Sequence, residues 1–356
     1  MRITHVNLAR GFRGGERQTL NLMEGLANLG VEQTLVCRNG AELKRRSAHL
    51  DVKVREVAHP LFGHVNPRGT DLVHVHEARG AYWAGIEHLL RHTPYIITRR
   101  IPNRISDSSI TRSVYRGADR LLGVSQHVAA CLMRQTGMPV NAILSSTSTL
   151  PANAEKVREI RQKFGPGPII GHVGALHDHH KGQSVLIEAF LRLVQDFPNA
   201  QLLLVGEGPD RAQFEALAKG DSRIHFIGFQ NDVGSWTAAM DLFCFPSREE
   251  GLGSSVLDAM ALKVPVIAAK VDGLPELIGN DERGFGVDLH EPAAWEAAIR
   301  RMLGDTAAQA RVVQAASRFA AENGIEAMTR SYLTVYEKVM SARHFQEAGH
   351  AMGVRP

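Results

Sequence analysis

Cysteine is scarce in this chain: Cys37, Cys131 and Cys244 are three among 356 residues, odd in number, far apart and without a Cys-x-x-Cys spacing. That pattern gives no disulfide framework and no cysteine-ligated zinc site, so a reducing cytoplasm is the expected compartment. No long apolar run occurs, and no membrane span is expected. The opening MRITHVNLA reads as a strand, without the apolar stretch and small-residue cleavage site of a leader, so export is not expected. Asp-x-Asp is missing throughout the chain. Short-period repeats and low-complexity segments are absent too.

What is present is the composition of an ordinary folded protein, 44% hydrophobic and 22% charged. Its length exceeds what one core usually holds, and two domains are the starting expectation. The net charge of +4 hides an asymmetry. Residues 1–164 carry 24 Lys and Arg against 13 Asp and Glu, net +11, and the remainder carries 17 against 24, net −7. A basic first half suits an anionic partner, such as a phospholipid surface or a phosphorylated acceptor. Nucleic acid is not expected, because the basic residues are not interleaved with aromatics in a recognisable module.

Short β-branched runs alternate with longer amphipathic stretches. In the first half they are RITHVNLA, EQTLVCR, DLVHVH, YIITRR, RLLGVS and NAILSS; in the second, PIIGHVGAL, AQLLLVGEG, RIHFIGF, LFCFPS and VPVIAA. Strand, helix, strand in repetition predicts two α/β, Rossmann-like domains with open parallel sheets. The break is placed at Gly165–Pro168, giving domains 1–164 and 165–325. Helical patterns with no strand after them follow, and residues from Phe345 onward read as a loose tail.

Ligands of such sheets bind beyond the carboxyl ends of the strands, so the turns there are where chemistry is sought. Gly14 and Gly15 follow the first strand and precede a helix, where backbone N–H groups can approach a phosphate. HDHHKG ends in Lys181 at a helix entrance, suited to a diphosphate. The histidines of that loop match no zinc spacing, and no metal is expected. Further small-residue turns at Gly206 and beside Phe229 extend a rim that could hold a nucleotide. The stretch SREEGLGSSVLD completes it: Gly251, Leu252 and Gly253 allow close backbone approach, Ser254 and Ser255 are expected to cap a helix facing the rim, and Glu250 and Asp258 flank the anion site. Carboxylates on either side of a phosphate site suit a ligand with hydroxyl groups at both ends of a diphosphate, the layout of a nucleotide sugar.

At SREEGLGSSVLDAMALKVPVIAAKVDGLPELI the sequence resembles the retaining glycosyltransferases of GT-B fold, family 4, and the likeness extends through VGALHDHHKG, VGEGPDR, DLVHVHEARG, ADRLLGVSQHV and the early Gly-Gly. The resemblance implies two Rossmann-like domains facing across a cleft, with the last helix, 326–345, returning to the first domain. It implies that Glu250 contacts the donor sugar, Asp258 the ribose and Lys181 the diphosphate of a nucleotide sugar, a UDP-sugar. Gly15 would approach the same phosphates and His76 would face the sugar. Three departures stand out: Ala175 replaces an Arg of the family pattern, Asp258 replaces Glu, and SSTSTLP replaces an Asn-Gly.

Family members of this kind are thought to transfer on one face of the sugar, with the leaving phosphate taking the proton. His76, Lys181 and Glu250 are therefore the candidate catalytic residues, and no metal or other cofactor is implied. Asp71, His74 and His76 are read as sharing one strand face, with His74 as a core residue. Arg99, Arg100 and Arg104 are the candidate acceptor residues, for a glycan or glycolipid such as a lipopolysaccharide core or other cell-envelope saccharide. Peripheral contact with the anionic inner membrane surface is the matching expectation. Two alternatives stay open: a catalytically silent relative that binds a nucleotide or partner, and, ranked lower, a sugar-nucleotide 2-epimerase of similar plan.

Overall fold

The computed structural model describes residues 1–64, 69–288 and 291–351, with side chains described as far as Arg343. Contacts divide the chain into two units, Met1–Ser146 with Asn323–Pro356, and Thr147–Glu322. Among the described residues no helix is long and apolar enough to cross a membrane.

The first unit holds β1 (Arg2–Asn7), β2 (Glu32–Arg38), β3 (Lys53–Val57), β4 (Leu72–Val75), β5 (Tyr95–Arg99), β6 (Arg120–Gly123) and β7 (Val140–Ala142). They form one parallel sheet in the order β3-β2-β1-β4-β5-β6-β7. In the second unit β8 (Ile169–Val173), β9 (Gln201–Val205), β10 (Ile224–Gly228), β11 (Leu242–Phe245), β12 (Val266–Ala269) and β13 (Phe285–Val287) form a parallel sheet in the order β10-β9-β8-β11-β12-β13. The order reverses between β1 and β4 in one unit and between β8 and β11 in the other. Such reversals open a crevice at the strand ends.

Two strands escape the sequence pattern, and both lie at sheet edges. KVREV of β3 is mostly exposed, so it shows no apolar run, and β13 is only three residues long. The division also falls earlier than the Gly165–Pro168 turn. Residues 147–164 are held by the second unit: the Asn153 N–H donates to Ser235 Oγ at 2.8 Å, the Ser148 N–H to Asp258 Oδ1 at 2.7 Å, and Arg161 pairs with Asp241. The expected tail from Phe345 is helical as far as Ala351, the end of the helix Ile325–Ala351; residues 352–356 lie outside the described residues.

That helix covers one face of the first sheet. Met328, Tyr332, Tyr336 and Val339 pack with Ile3, Leu72, Ile96 and Leu122, while Leu22 and Leu26 join from the helix Gly14–Asn28. The two helices meet at Gly25, where an added Cβ would lie 1.9 Å from Thr329 Oγ1. Gly25→Ala is expected to lower stability by about 1–3 kcal/mol through overpacking, read as a lower urea midpoint. Thr329→Ala in the same chain should restore part of the loss, because the clashing hydroxyl is gone; a double variant no more stable than Gly25→Ala would contradict this account.

Candidate active site

In the second unit the turns after β8 and β11, neighbours at the sheet's reversal, are stitched together by backbone polar groups. The carbonyl of His180 accepts from the Arg248 N–H at 2.8 Å and from Ser247 Oγ at 2.9 Å. Asp178 closes the first turn by accepting from the N–H and hydroxyl of Ser184 at 2.8 and 2.9 Å. Gly182 has φ +63°, and a Cβ there would stand 2.2 Å from the Pro246 carbonyl oxygen. Only glycine fits, which explains the Lys-Gly order.

The consequence is a preformed ion pair. Lys181 Nζ donates to Glu250 Oε2 at 2.5 Å and lies 5.0 Å from the Phe245 ring centroid. Glu250 is held from behind, its N–H donating to Asp272 Oδ2 at 2.9 Å from the turn after β12. Gly273, which begins the Gly-Leu-Pro-Glu turn, sits where a Cβ would meet the Gly251 carbonyl oxygen at 2.3 Å. Gly251, Leu252 and Gly253 are buried in this packing. The helix Ser254–Ala261 then starts with Gly253 as its N-cap, φ +95°, and no side chain caps it. The expected capping by Ser254 and Ser255 is therefore corrected: Ser254 is already the first helical residue, placed there by the left-handed glycine.

Asp258 is buried, and its Oδ1 accepts from the Ser148 N–H. Gly206 lies over the Gly174 carbonyl oxygen, 2.0 Å from where its Cβ would be, and so serves the packing of two turns. Phe229 is 60% exposed beyond β10. At Ala175, where the family pattern has Arg, the carbonyl accepts from Gln183 Nε2 at 2.7 Å. The nearby Arg248 is turned onto Asp178, with Nε 3.1 Å from its carbonyl oxygen. The loop histidines do meet a carboxylate: the ligand atoms of exposed His179, His180 and Glu249 all lie within 4.8 Å of one another, with His180 Nδ1 3.1 Å from Glu249 Oε2.

In the first unit strand parity decides which residues meet. His5 of β1, His74 of β4 and His76 just after it share the face of Ile3 and Leu72, and Thr98 and Arg100 share that face at β5. Asp71, expected with them, precedes β4 and pairs with Arg2 instead. His74 is tied to Tyr336 Oη at 2.6 Å and Thr98 Oγ1 at 2.8 Å, the core role expected of it.

His76 is buried, and both its ring nitrogens are engaged. Arg100 Nη2 lies 3.2 Å from Nδ1, and His5 Nδ1 lies 3.0 Å from Nε2. Because a guanidinium only donates, Nδ1 accepts and the neutral ring must carry its proton on Nε2. His5 then accepts at Nδ1 and donates from Nε2 to Gln33 Oε1 at 3.0 Å, and Gln33 Nε2 donates to the Met23 carbonyl at 3.0 Å. One proton arrangement satisfies the whole chain. Burial pushes His5 down to about 4 and His74 and His76 well below the usual range, so all three are neutral near pH 7.

The three candidate acceptor arginines do not converge. Arg99, on the opposite face, donates to the Asn103 carbonyl at 3.0 Å, and Arg104 is exposed and pairs with Asp107 at 2.7 Å. Arg100 instead runs beside the start of the helix Gly14–Asn28, its Cδ 3.3 Å from where a Gly15 Cβ would be. Its Nε is buried with no hydrogen-bond partner. Parity along YIITRR could have separated Arg99 from Arg100; the pairing of β4 with β5 could not be read from it.

These neutral histidines make stability depend on acid. His172 at the centre of β8 is likewise pushed down to about 4 by burial, Nδ1 lying 3.0 Å from the Cys244 carbonyl oxygen. Between pH 6.5 and 4 the unfolded chain binds protons that the folded one refuses, so stability should fall by about 3 kcal/mol for each of His5 and His172. Below that window the contribution of these two levels off, while His74 and His76, pushed down further, go on losing stability. The test is the urea midpoint as a function of pH, and His172→Gln should flatten the slope.

Comparison with known proteins adds the lineage. Residues 12–143 match the family model described as Glycosyltransferase Family 4, and residues 167–305 match that described as Glycosyl transferases group 1. A lipopolysaccharide core biosynthesis glycosyltransferase, LpsE of Rhizobium meliloti (strain 1021), is 26% identical over 94% of this chain and 98% of its own length. A 2-deoxystreptamine glucosyltransferase of Streptomyces kanamyceticus is 27% identical over 65% of this chain and 64% of its own. Among solved structures, Anabaena Alr3699/HepE in complex with UDP and glucose superposes with a TM-score of 0.81 at 19% identity, covering 95% of this chain and all of that one. WaaG, a glycosyltransferase involved in lipopolysaccharide biosynthesis, gives 0.68 at 16% identity over 94% and 99%.

Proposed function

Since the chain is a glycosyltransferase of GT-B fold, with a Family 4 segment followed by a group 1 segment, we propose that it transfers a sugar from a UDP-sugar, with retention, to a hydroxyl of a glycan or glycolipid. The acceptor class proposed is a lipopolysaccharide core or related cell-envelope saccharide, in keeping with the name of the Rhizobium relative. The donor class agrees with the UDP and glucose held by the Anabaena neighbour. We place the protein in the cytoplasm, touching the membrane peripherally.

The observation that carries this reading is the Lys181–Glu250 pair at the reversal of the second sheet. Lys181 there meets the diphosphate, the uncapped start of the helix Ser254–Ala261 adds N–H donors, and Glu250 accepts from sugar hydroxyls. Asp258, whose Oδ1 accepts from the Ser148 N–H, is assigned to the ribose. In the first unit Gly14 and Gly15 are assigned to phosphate and His76 to the sugar, a contact its ring nitrogens can make only by giving up Arg100 or His5. The bond between the anomeric carbon and the diphosphate oxygen breaks as the acceptor oxygen bonds on the same face, and the departing phosphate takes the acceptor's proton. Such a reaction asks the protein for positioning and charge stabilisation, not for a carboxylate nucleophile. No metal ion is assigned a role.

Lys181→Ala should weaken UDP binding about 10- to 100-fold by calorimetry, the worth of a hydrogen bond to a charged group. Glu250→Gln should lower turnover of UDP-glucose at least about a hundredfold while leaving UDP affinity close to wild type. Turnover should persist in EDTA, and proton NMR of the first product should show the donor's anomeric configuration. Equal UDP affinity in wild type and Lys181→Ala would overturn the donor assignment.

A further inference from the structure

The first unit contains a groove of about 910 Å³ that the donor chemistry leaves unused. It runs along one stripe of the helix Ala78–Arg91, from Arg79 through Tyr82 and Ile86 to Leu89, a length of about 15 Å at the rise of an α-helix. Leu61 closes one side, and Ile110 and Val114 of the helix Ser109–Arg116 close the other. The walls are mainly apolar, yet open to solvent: Leu61, Leu89 and Ile110 are 62%, 78% and 65% exposed. Three large aliphatic side chains left in water around one groove are unusual for a surface with nothing to cover it.

The two ends of the groove differ. At the end beside the carboxyl termini of β1, β2 and β4 stand Arg10, Arg38 and Arg79, none of which forms an ion pair among the described residues. Toward Leu89 and Ile110 the lining carries no acid, arginine or lysine: Ile86, Leu89, Ile110 and Val114 supply its aliphatic surface, with His88, Ser108 and Ser113 among them. This polarity matches a molecule with an anionic head and a long hydrocarbon chain. A volume of this size suits one extended ligand, not a protein surface.

We propose that this groove binds the alkyl chain of an anionic lipid acceptor, with the acidic head held by Arg10, Arg38 and Arg79 where the strands end. The assignment rests on the reading of the protein as a glycosyltransferase and, of the glycan and glycolipid acceptors proposed above, selects the lipid-borne ones and gives their alkyl chain a place in the first unit. Affinity comes from burying methylene groups and orientation from the arginines, which hold the head near the chemistry and direct the chain away from it.

The probe is dodecyl phosphate, titrated calorimetrically into the full chain below its micellar concentration. One-to-one binding is expected, about tenfold weaker for every two methylenes removed, and at least tenfold weaker for dodecyl maltoside, whose head is uncharged. Leu89→Glu with Ile110→Glu, both at exposed positions, should abolish binding while the thermal melt and UDP-glucose affinity stay as in wild type. Arg38→Glu with Arg79→Glu should erase the preference for the phosphate head. The proposal falls if dodecyl phosphate does not bind, if chain length has no effect, if the double glutamate variant binds equally well, or if only vesicles of anionic phospholipid bind and monomers do not. Amphiphile binding without any UDP-glucose binding by the wild type would uphold the groove and refute the donor reading instead.

Discussion

A backbone contact too close for a side chain sets the candidate site. The helical turn Asp178–Lys181 ends at Gly182 in a left-handed conformation pressed on the Pro246 carbonyl. That contact fixes the distance between the turns after β8 and β11, and with it the direction from which Lys181 reaches Glu250. Any Cβ at position 182 would push the turns apart. The rest of the arrangement follows the same rule, with Gly206 lying on Gly174 and Gly273 on Gly251. Glycine is used here for approach, and the charged groups are positioned by the backbone that approach allows.

The first unit uses a different means. Its polar groups lie inside the sheet face, where an unpaired one would be costly, and they are ordered by the direction of their hydrogen bonds. Arg100 can only donate, and that single fact fixes the proton on His76, then on His5, and orients Gln33 toward Met23. His74 sits beside this chain and ties the sheet to the C-terminal helix through Tyr336. Burial keeps the imidazoles neutral, because charging one would set two donors against each other.

Much of this was legible in the sequence because parallel strands are buried on both faces and read as continuous apolar runs. Nine inner strands announce themselves that way, and the edge strands β7 and β10 still lie in short apolar runs, whereas β3 is mostly exposed and β13 is only three residues long. Lys181 and Glu250 could be singled out because each stands beside glycines at the end of a strong strand. What could not be read was long-range pairing: that residues 147–164 attach to the second unit through Ser235, Asp241 and Asp258, or that Arg100 turns to His76 while Arg99 turns away. These depend on which strands are neighbours and on small hydrogen bonds between distant segments. Local pattern carries neither. Ser254 and Ser255 show the converse error, where good capping residues were outcompeted by a glycine able to adopt the left-handed conformation.

For the diphosphate proposed at Lys181, the surrounding charges say where its attraction would originate. Both the lysine and the arginine of the two turns already face a carboxylate: Lys181 faces Glu250 and Arg248 faces Asp178. With Ala175 lacking a charge, side chains alone leave no surplus positive potential there. Lysine suits this setting, since its ammonium has three donors and can keep Glu250 while turning another toward a phosphate oxygen. The remaining stabilisation has to come from fixed dipoles. The helix Ser254–Ala261 begins without a side-chain cap, so its first N–H groups stay available, and their partial charge cannot be cancelled by a rotating carboxylate. On the proposed donor reading, the backbone of this second unit supplies the anion's surplus, and the side-chain pairs hold the geometry in which it acts.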